Sequence, residues 1–498
     1  MRKIQLKSSK PQRWKPHDYQ KKAVKFLRSR QAGGLFLEPG LGKTSITLEV
    51  ISQYLKDGLA SKVLIIAPLR VCYNVWPQEI ERWANFNHLR CCILHGRDKD
   101  KLLASDDYDI YLINPEGLKW LFAAEKETTN SFGGKKKPKV VVDQRRWKSL
   151  GFDMLVVDEL SKFKSSQSDR FKMIKPLIPT FKFRYGLTGS PAANGLINLF
   201  GQMYIIDNGL TFGQYITNFR NAYFESDYLG FTYTLRPGAE QEIYDAIKPF
   251  VLSMKATDYL DMPDYIESNI YVDLDSKAKK IYESLENDLI TKLNENVVTA
   301  ATAGAASIKC RQVANGAVYV DQEVEALVKT ADKEWVTVHD AKIDALQDLI
   351  EELQGKPLLV AYEFAHDLER LKKALGKDVP HIGTGVSMKE TQRVVDDFNR
   401  GKIPVLLGHP ASMGHGLNMQ DVCNHVCWFS ITWDYELYDQ FVRRVYRQGN
   451  SHDKVFIYRI VAKDTIDNAI VGMLSNKTAT QNALFKALEV MKKTKRKS

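Results

Sequence analysis

At 498 residues the chain exceeds what one hydrophobic core ordinarily serves, and a prior of roughly 100 to 200 residues per domain suggests about two to four compact units. Hydrophobic residues make up 44% and charged residues 26%, which excludes disordered and collagen-like chains and leaves a folded protein. Lys and Arg number 71 against 60 Asp and Glu, and the resulting +11 favours a polyanionic partner without distinguishing DNA, RNA or an anionic membrane.

The basic start Met1-Arg2-Lys3-Ile4-Gln5-Leu6-Lys7 runs into Ser8-Ser9-Lys10-Pro11 rather than an apolar core, so a secretory signal is not expected. Four apolar runs follow in the first part: Gly34 to Leu37, Val63 to Ala67, Ile110 to Ile113 and Met154 to Val157. They read as buried strands. Helical spacing lies between them, at Ser45 to Lys56 and Val75 to Trp83, and this alternation predicts a parallel sheet covered by helices.

The basic stretch Gly133-Gly134-Lys135-Lys136-Lys137-Pro138-Lys139 reads as a solvated surface loop able to touch a nucleic-acid backbone. From Leu199 to Asp264 the sequence is aromatic and less regular, and a long helical pattern follows around Ser276 to Leu293, then an Ala-rich run at Ala300 to Ala306. From Trp335 the α/β alternation returns, with strands expected at Pro357 to Ala361, Pro404 to Leu407, His425 to Phe429 and Val455 to Tyr458. The expected organisation is two α/β lobes in tandem: residues 1–200, a helical insertion and connector at 201–335, a second lobe at 336–475, and a basic tail at 476–498. No apolar stretch is long enough to span a bilayer.

The six cysteines, Cys72, Cys91, Cys92, Cys310, Cys423 and Cys427, have no paired Cys-x-x-Cys spacing, so reduced thiols are expected. His409, His415, Cys423, His425 and Cys427 match no tetrahedral zinc spacing and read as core positions, as do Trp428, Trp433 and Tyr435.

The first strand runs into Glu38-Pro39-Gly40-Leu41-Gly42-Lys43-Thr44-Ser45. A strand, a Gly-rich turn and a helix N-terminus gather backbone N–H groups and a helix dipole around a phosphate. Lys43 would reach the β and γ phosphates of ATP and the Thr44 hydroxyl would bind Mg²⁺. The usual first Gly or Ala of such a loop is Leu37 here. Asp158 and Glu159 end the strand 154–157, where parallel sheets place ligands. Asp158 would hold Mg²⁺ and Glu159 would orient and deprotonate the attacking water; a strand followed by an acidic helix cap is the structural alternative.

The order of these segments resembles superfamily-two helicase-like motors, and among them the Swi/Snf type of DNA translocase, with two RecA-like lobes. Tyr19-Gln20 is similar to the adenine-reading segment. Ala67-Pro68-Leu69 resembles the first strand-contacting motif, Asp158-Glu159-Leu160-Ser161 the Asp-Glu box, and Leu187-Thr188-Gly189-Ser190-Pro191 with Asn194 the coupling motif. Ser412-Met413-Gly414-His415-Gly416-Leu417-Asn418 is similar to the fifth motif, and Gln440, Arg444, Arg447, Gln448 and Gly449 to the sixth. Residues 249–263, Tyr282 and Asp464-Thr465-Ile466-Asp467 resemble the Swi/Snf connecting segments. The Asp-Glu box ends Leu-Ser where relatives commonly have Ala-His, and Ser253 stands where a basic residue is expected.

The resemblance implies that Arg447 is an arginine finger, with Arg444 as a second phosphate contact and Gln440 near the γ phosphate. It implies coupling roles for Thr188, Ser190, Gly414 and Gly416, and makes Pro68, Arg70, Lys164 and Ser412 candidate nucleic-acid contacts. It further implies ATP and Mg²⁺ as cofactors and DNA, duplex before RNA, as the track of a monomeric motor; the compactness of the chain and the lack of a recognisable targeting or chromatin-reading segment point by elimination to the cytoplasm of a bacterial or virus-infected cell. A strand-separating or branch-remodelling helicase is the rival enzyme reading, and an ATP-gated DNA-binding scaffold the non-enzymatic one.

Overall fold

The computed structural model describes residues 11–129, 135–192, 195–226, 233–294, 300–320, 334–413 and 417–475. They form two compact units, one reaching Leu260 and the other starting at Asp261.

The first unit is built on seven parallel strands. From one edge to the other they are Val251–Met254, Ala32–Leu37, Phe183–Thr188, Met154–Asp158, Val63–Ile66, Ile110–Ile113 and Cys91–Ile93. Val63 to Ile66 and Ile110 to Ile113 are buried at every position, as required of central strands covered on both faces. Helices Asp18–Arg28, Lys43–Lys56, Trp76–Arg82 and Leu199–Asp207 are among those that pack around this sheet. Expected strands and helices were placed within a few residues, but Phe183–Thr188 and Cys91–Ile93 had no strong apolar run to announce them.

The second unit carries six parallel strands in the order Asp264–Val272, Lys454–Ala462, His425–Trp428, Leu358–Ala361, Val405–Gly408 and His381–Ile382. The architecture is therefore two parallel-sheet α/β lobes in tandem. A buried polar network ties its helices together. Lys342 is fully buried, and its Nζ lies 2.6 Å from Asp467 and donates to Asn315 Oδ1 at 2.9 Å. Asn315 in turn donates to Ser430 Oγ and Asp367, while the Tyr282 hydroxyl accepts from the Ile466 backbone N–H at 2.7 Å. Tyr282 and the segment 464–467, far apart in sequence, thus meet in one core.

Two expectations require correction. Residues 201–335 do not stand apart as an insertion: 201–260 fold into the first unit and the chain from Asp261 into the second. Val251–Met254 pairs in parallel with Ala32–Leu37, and Asp264–Val272 pairs along its full length with Lys454–Ala462, so the connector supplies an edge strand to each sheet. The basic run also differs. Lys135–Val142 is a strand, antiparallel to Ala123–Thr129, with Ala123 to Glu125 paired to Val142 to Val140; Gly133 and Gly134 lie outside the described residues. No helix among the described residues is long and apolar enough to cross a membrane.

Candidate active site

The strands of the first sheet all point the same way, so their carboxyl ends share one edge. Pairing puts Phe36 beside Thr188, Leu187 beside Asp158 and Val157 beside Ile66. Four of the sequence motifs therefore leave the sheet as neighbours, at 38–45, 67–70, 158–161 and 188–190.

At the end of Ala32–Leu37 the chain turns through Gly40 at φ 95° and Gly42 at φ 79°, then enters the helix Lys43–Lys56. Both conformations are left-handed and favour glycine. Gly42 is the N-cap and no side chain caps the helix, so the first-turn N–H groups are presented at the mouth of the loop, as an anion requires. The Lys43 ammonium donates to the Leu37 carbonyl at 2.6 Å, which folds the side chain back over the loop. Thr44 is the second residue of the helix.

Gln20 reaches this loop from the helix Asp18–Arg28. Its side chain is buried, accepts from the His17 backbone N–H at 3.0 Å and donates to the Leu41 carbonyl at 3.3 Å. On another side Gly189 packs against Pro39: a Cβ there would lie 3.1 Å from the proline ring. Thr188 is buried and its Oγ1 accepts from the Ser190 backbone N–H at 3.3 Å.

Asp158 ends its strand with Oδ2 accepting from the Trp76 indole N–H at 3.0 Å. Burial pushes its carboxyl up to about 6 and the neighbouring Glu159 charge adds to this, while the Lys43 ammonium pulls it down. Glu159 has φ 66° and ψ 66°, a left-handed backbone unusual for a residue with a side chain. Its Oε1 accepts from the Ser161 hydroxyl at 2.7 Å.

The second unit holds the sixth-motif residues on and after the helix Tyr435–Val442. Gln440 donates to Glu436 at 3.2 Å. Arg444 is buried and donates to the Gln440 carbonyl at 2.8 Å and the Leu417 carbonyl at 3.0 Å, and its own carbonyl accepts from Met419 N–H. Arg447 donates to the Asn418 side chain, and burial beside Arg443 pulls its guanidinium below its ordinary value. Residues 417–419 and 444–447 are therefore stapled together within this unit.

Not every expected residue joins the cluster. The Ser45 hydroxyl is buried against Glu79, which also accepts from Trp83. Pro68 caps the helix Leu69–Asn74, where burial lowers the Arg70 guanidinium from its ordinary value; Lys164 closes the short turn Leu160–Phe163. Ser412 belongs to the second unit, in a turn on His409. Gly414, Gly416 and Asn194 lie outside the described residues. Sequence reasoning missed Trp76 and Ser161, the partners of the two carboxylates, and Glu38, whose carboxylate accepts from the Ala256 backbone N–H at 2.9 Å. Ser161 carried a signal, since it is where the box departs from its usual pattern.

These features fit a nucleoside triphosphate: two left-handed glycines, an uncapped helix start and a lysine over the loop. They also fit a divalent cation, since Thr44 and the oxygen-donor Asp158 are hard ligands of the kind Mg²⁺ takes.

Comparison with known proteins accords with this arrangement. Residues 19–321 match the model of the SNF2-related domain, and residues 341–449 that of the helicase conserved C-terminal domain. The chain is 31% identical to protein p41 of the Acyrthosiphon pisum secondary endosymbiont phage 1, over 95% of this chain and 98% of that one. It is 23% identical, over 93% of its length, to a Bacillus subtilis protein described as an ATP-dependent helicase/translocase, of which it spans only 47%. Among solved structures, the Sulfolobus solfataricus SWI2/SNF2 ATPase core in complex with dsDNA aligns over 98% of this chain and 97% of that one, with a TM-score of 0.42 and 22% identity. With the SNF2-related match spanning both the phosphate loop and the Asp-Glu box, and the helicase C-terminal match covering the stapled arginines, the chain belongs to the SNF2-related family of helicase-like ATPases.

Proposed function

We propose that this chain is an ATP-driven nucleic-acid motor, and specifically a Swi/Snf-type translocase on double-stranded DNA that couples hydrolysis to lobe closure. The observation that carries the reading is the convergence of Gln20, the Gly40–Lys43 loop and the Asp158–Glu159 pair on one sheet edge. The +11 charge suits a polyanionic track, and the Bacillus subtilis relative is described as a helicase/translocase.

Bound Mg·ATP supplies the phosphoanhydride to be cleaved and a metal charge that offsets the triphosphate. The loop N–H groups and Lys43 would hold the phosphates, Thr44 and Asp158 would hold the cation, and Gln20 would set the purine end. Pro39, Gly40 and Leu41 complete the loop. Glu159 orients water and takes its proton. Arg447 would act on the γ-phosphoryl group as an arginine finger with Gln440 nearby, and such an arginine contributes about 10³ to 10⁵ in rate; Arg444, expected as a second phosphate contact, instead donates to the Gln440 and Leu417 carbonyls and braces this segment. Pro68, Arg70, Lys164 and Ser412 grip the DNA backbone, whose contacts position without reading sequence. Thr188, Ser190, Gly414 and Gly416 pass the closing motion to that grip. The phage relative suits a motor working inside a bacterial or virus-infected cell.

The test is phosphate release and triplex displacement on duplex DNA by the wild type, Lys43→Ala and Glu159→Gln. Loss of both activities in both variants, with displacement but no unwinding by the wild type, is expected. Wild-type turnover in either variant would refute the catalytic assignment, and unwinding of tailed duplexes would favour a strand-separating helicase.

A further inference from the structure

We infer that Ser161 is a positioning residue for hydrolysis, its hydroxyl fixing the Glu159 carboxylate in the orientation from which it activates water. The inference rests on the role proposed above for Glu159 and adds the residue that makes that role possible.

Glu159 has a difficult local geometry. The strand ends at Asp158, and the left-handed backbone of Glu159 breaks its direction so that the chain can enter the turn Leu160–Phe163. A carboxylate on a flexible side chain does not acquire a single orientation from the backbone alone. Rotamer freedom has to be removed by a partner, and about 1 Å of misplacement can cost on the order of 100-fold in rate.

Ser161 is well held for that purpose. It is 3% exposed, two residues beyond Glu159. The turn is locked by backbone bonds from Lys162 N–H to the Glu159 carbonyl at 3.0 Å and from Lys164 N–H to the Ser161 carbonyl at 3.2 Å. It is also wedged from two sides. A Cβ on Gly186 would fall 2.2 Å from Leu160 Cδ1, and one on Gly201 would fall 2.2 Å from the Phe163 carbonyl oxygen, so the neighbouring strand and helix close on the turn only because both residues are glycine. The Ser161 Oγ is thereby delivered to Glu159 Oε1 at 2.7 Å, a well-formed O–H···O hydrogen bond. The hydroxyl donates, and by holding one carboxylate oxygen it restricts the rotation of the group and so the direction of the other.

This also accounts for the Leu-Ser ending of the Asp-Glu box. Leu160 fills the space over Gly186, and Ser161 is short enough to fold back on Glu159 from inside a tight turn.

The experiment compares Ser161→Ala, Ser161→Thr and Glu159→Gln in steady-state ATP hydrolysis with saturating duplex DNA, with melting temperature recorded for each. Ser161→Ala is expected to lower kcat about 10-fold while KM for ATP, half-saturation by DNA and melting temperature stay near wild type. Ser161→Thr, which keeps the hydroxyl, is expected to recover most of the loss. Full turnover by Ser161→Ala beside an inactive Glu159→Gln overturns the serine's role and leaves the base assignment standing. A Ser161→Ala defect shared between KM and melting temperature also overturns it, because that is the signature of a purely structural residue. Full turnover by Glu159→Gln overturns both assignments.

Discussion

Gln20 sits directly over Gly42: a Cβ added to the glycine would lie 2.5 Å from the glutamine side-chain nitrogen. The loop is thus shaped by a residue on a different helix, and the glycine is required twice, for its φ of 79° and for this close approach. We predict that Gly42→Ala weakens ATP binding at least about 10-fold, since the left-handed backbone alone costs a residue with a side chain about 1 to 2 kcal/mol. Isothermal titration with a non-hydrolysable ATP analogue measures it, and unchanged affinity would contradict this geometry.

Gln20 itself bridges His17 N–H and the Leu41 carbonyl. Gln20→Ala removes the bridge from a buried position and is expected to raise KM for ATP about 10-fold, with a smaller change in kcat at saturating nucleotide. Initial-rate ATPase measurements over a range of ATP concentrations separate the two parameters. A kcat loss at constant KM would place Gln20 in the chemical step instead.

In the second unit, Lys342 and Asp467 form a buried ion pair at 2.6 Å, 0% and 2% exposed. Removing one partner strands the other charge in the core, so Asp467→Ala is expected to destabilise this unit by about 3 to 5 kcal/mol. The double substitution Lys342→Met with Asp467→Leu is expected to recover most of that loss. Urea denaturation followed by circular dichroism reports it, and a single-variant loss below about 1 kcal/mol would show the pair to be better hydrated than its burial implies.

Acid sensitivity follows from two histidines of the same unit. Burial holds the imidazole of His339 down to about 4, helped by Arg370 and Lys342, and burial also holds His425 down to about 4, helped by Lys356 and His452. Both are neutral in the folded unit and take up a proton more readily when unfolded. Their contribution is therefore fully present above the ordinary histidine value of about 6.5 and is lost as pH falls towards about 4. The melting temperature of the second unit is expected to fall over this window, less steeply in His339→Gln. A flat profile from pH 7 to 4.5 would contradict the buried neutral state.

The legible part of the fold was whatever the chain writes locally. Val63 to Ile66 and Ile110 to Ile113 are uniform apolar runs because both faces of their strands are covered, and Gly40, Gly42, Lys43 and Asp158 announce themselves by residue type at a strand end. The illegible part lay in pairings between distant segments. Nothing near Trp76 indicates that its indole N–H serves Asp158, 82 residues on, and nothing in Val251–Met254 distinguishes a connector from an edge strand until Ala32–Leu37 is beside it. Ser45 shows the converse. Its place after Thr44 suggested the phosphate site, yet the helix turns its hydroxyl towards Glu79.

The most direct test of the proposed role of Arg447 in hydrolysis is single-turnover ATP hydrolysis by Arg447→Ala with saturating duplex DNA. We expect a rate at least about 10³-fold below wild type with ATP affinity retained. Hydrolysis at the wild-type rate would show that Arg447 takes no part in the chemistry and would contradict its proposed role as the arginine finger.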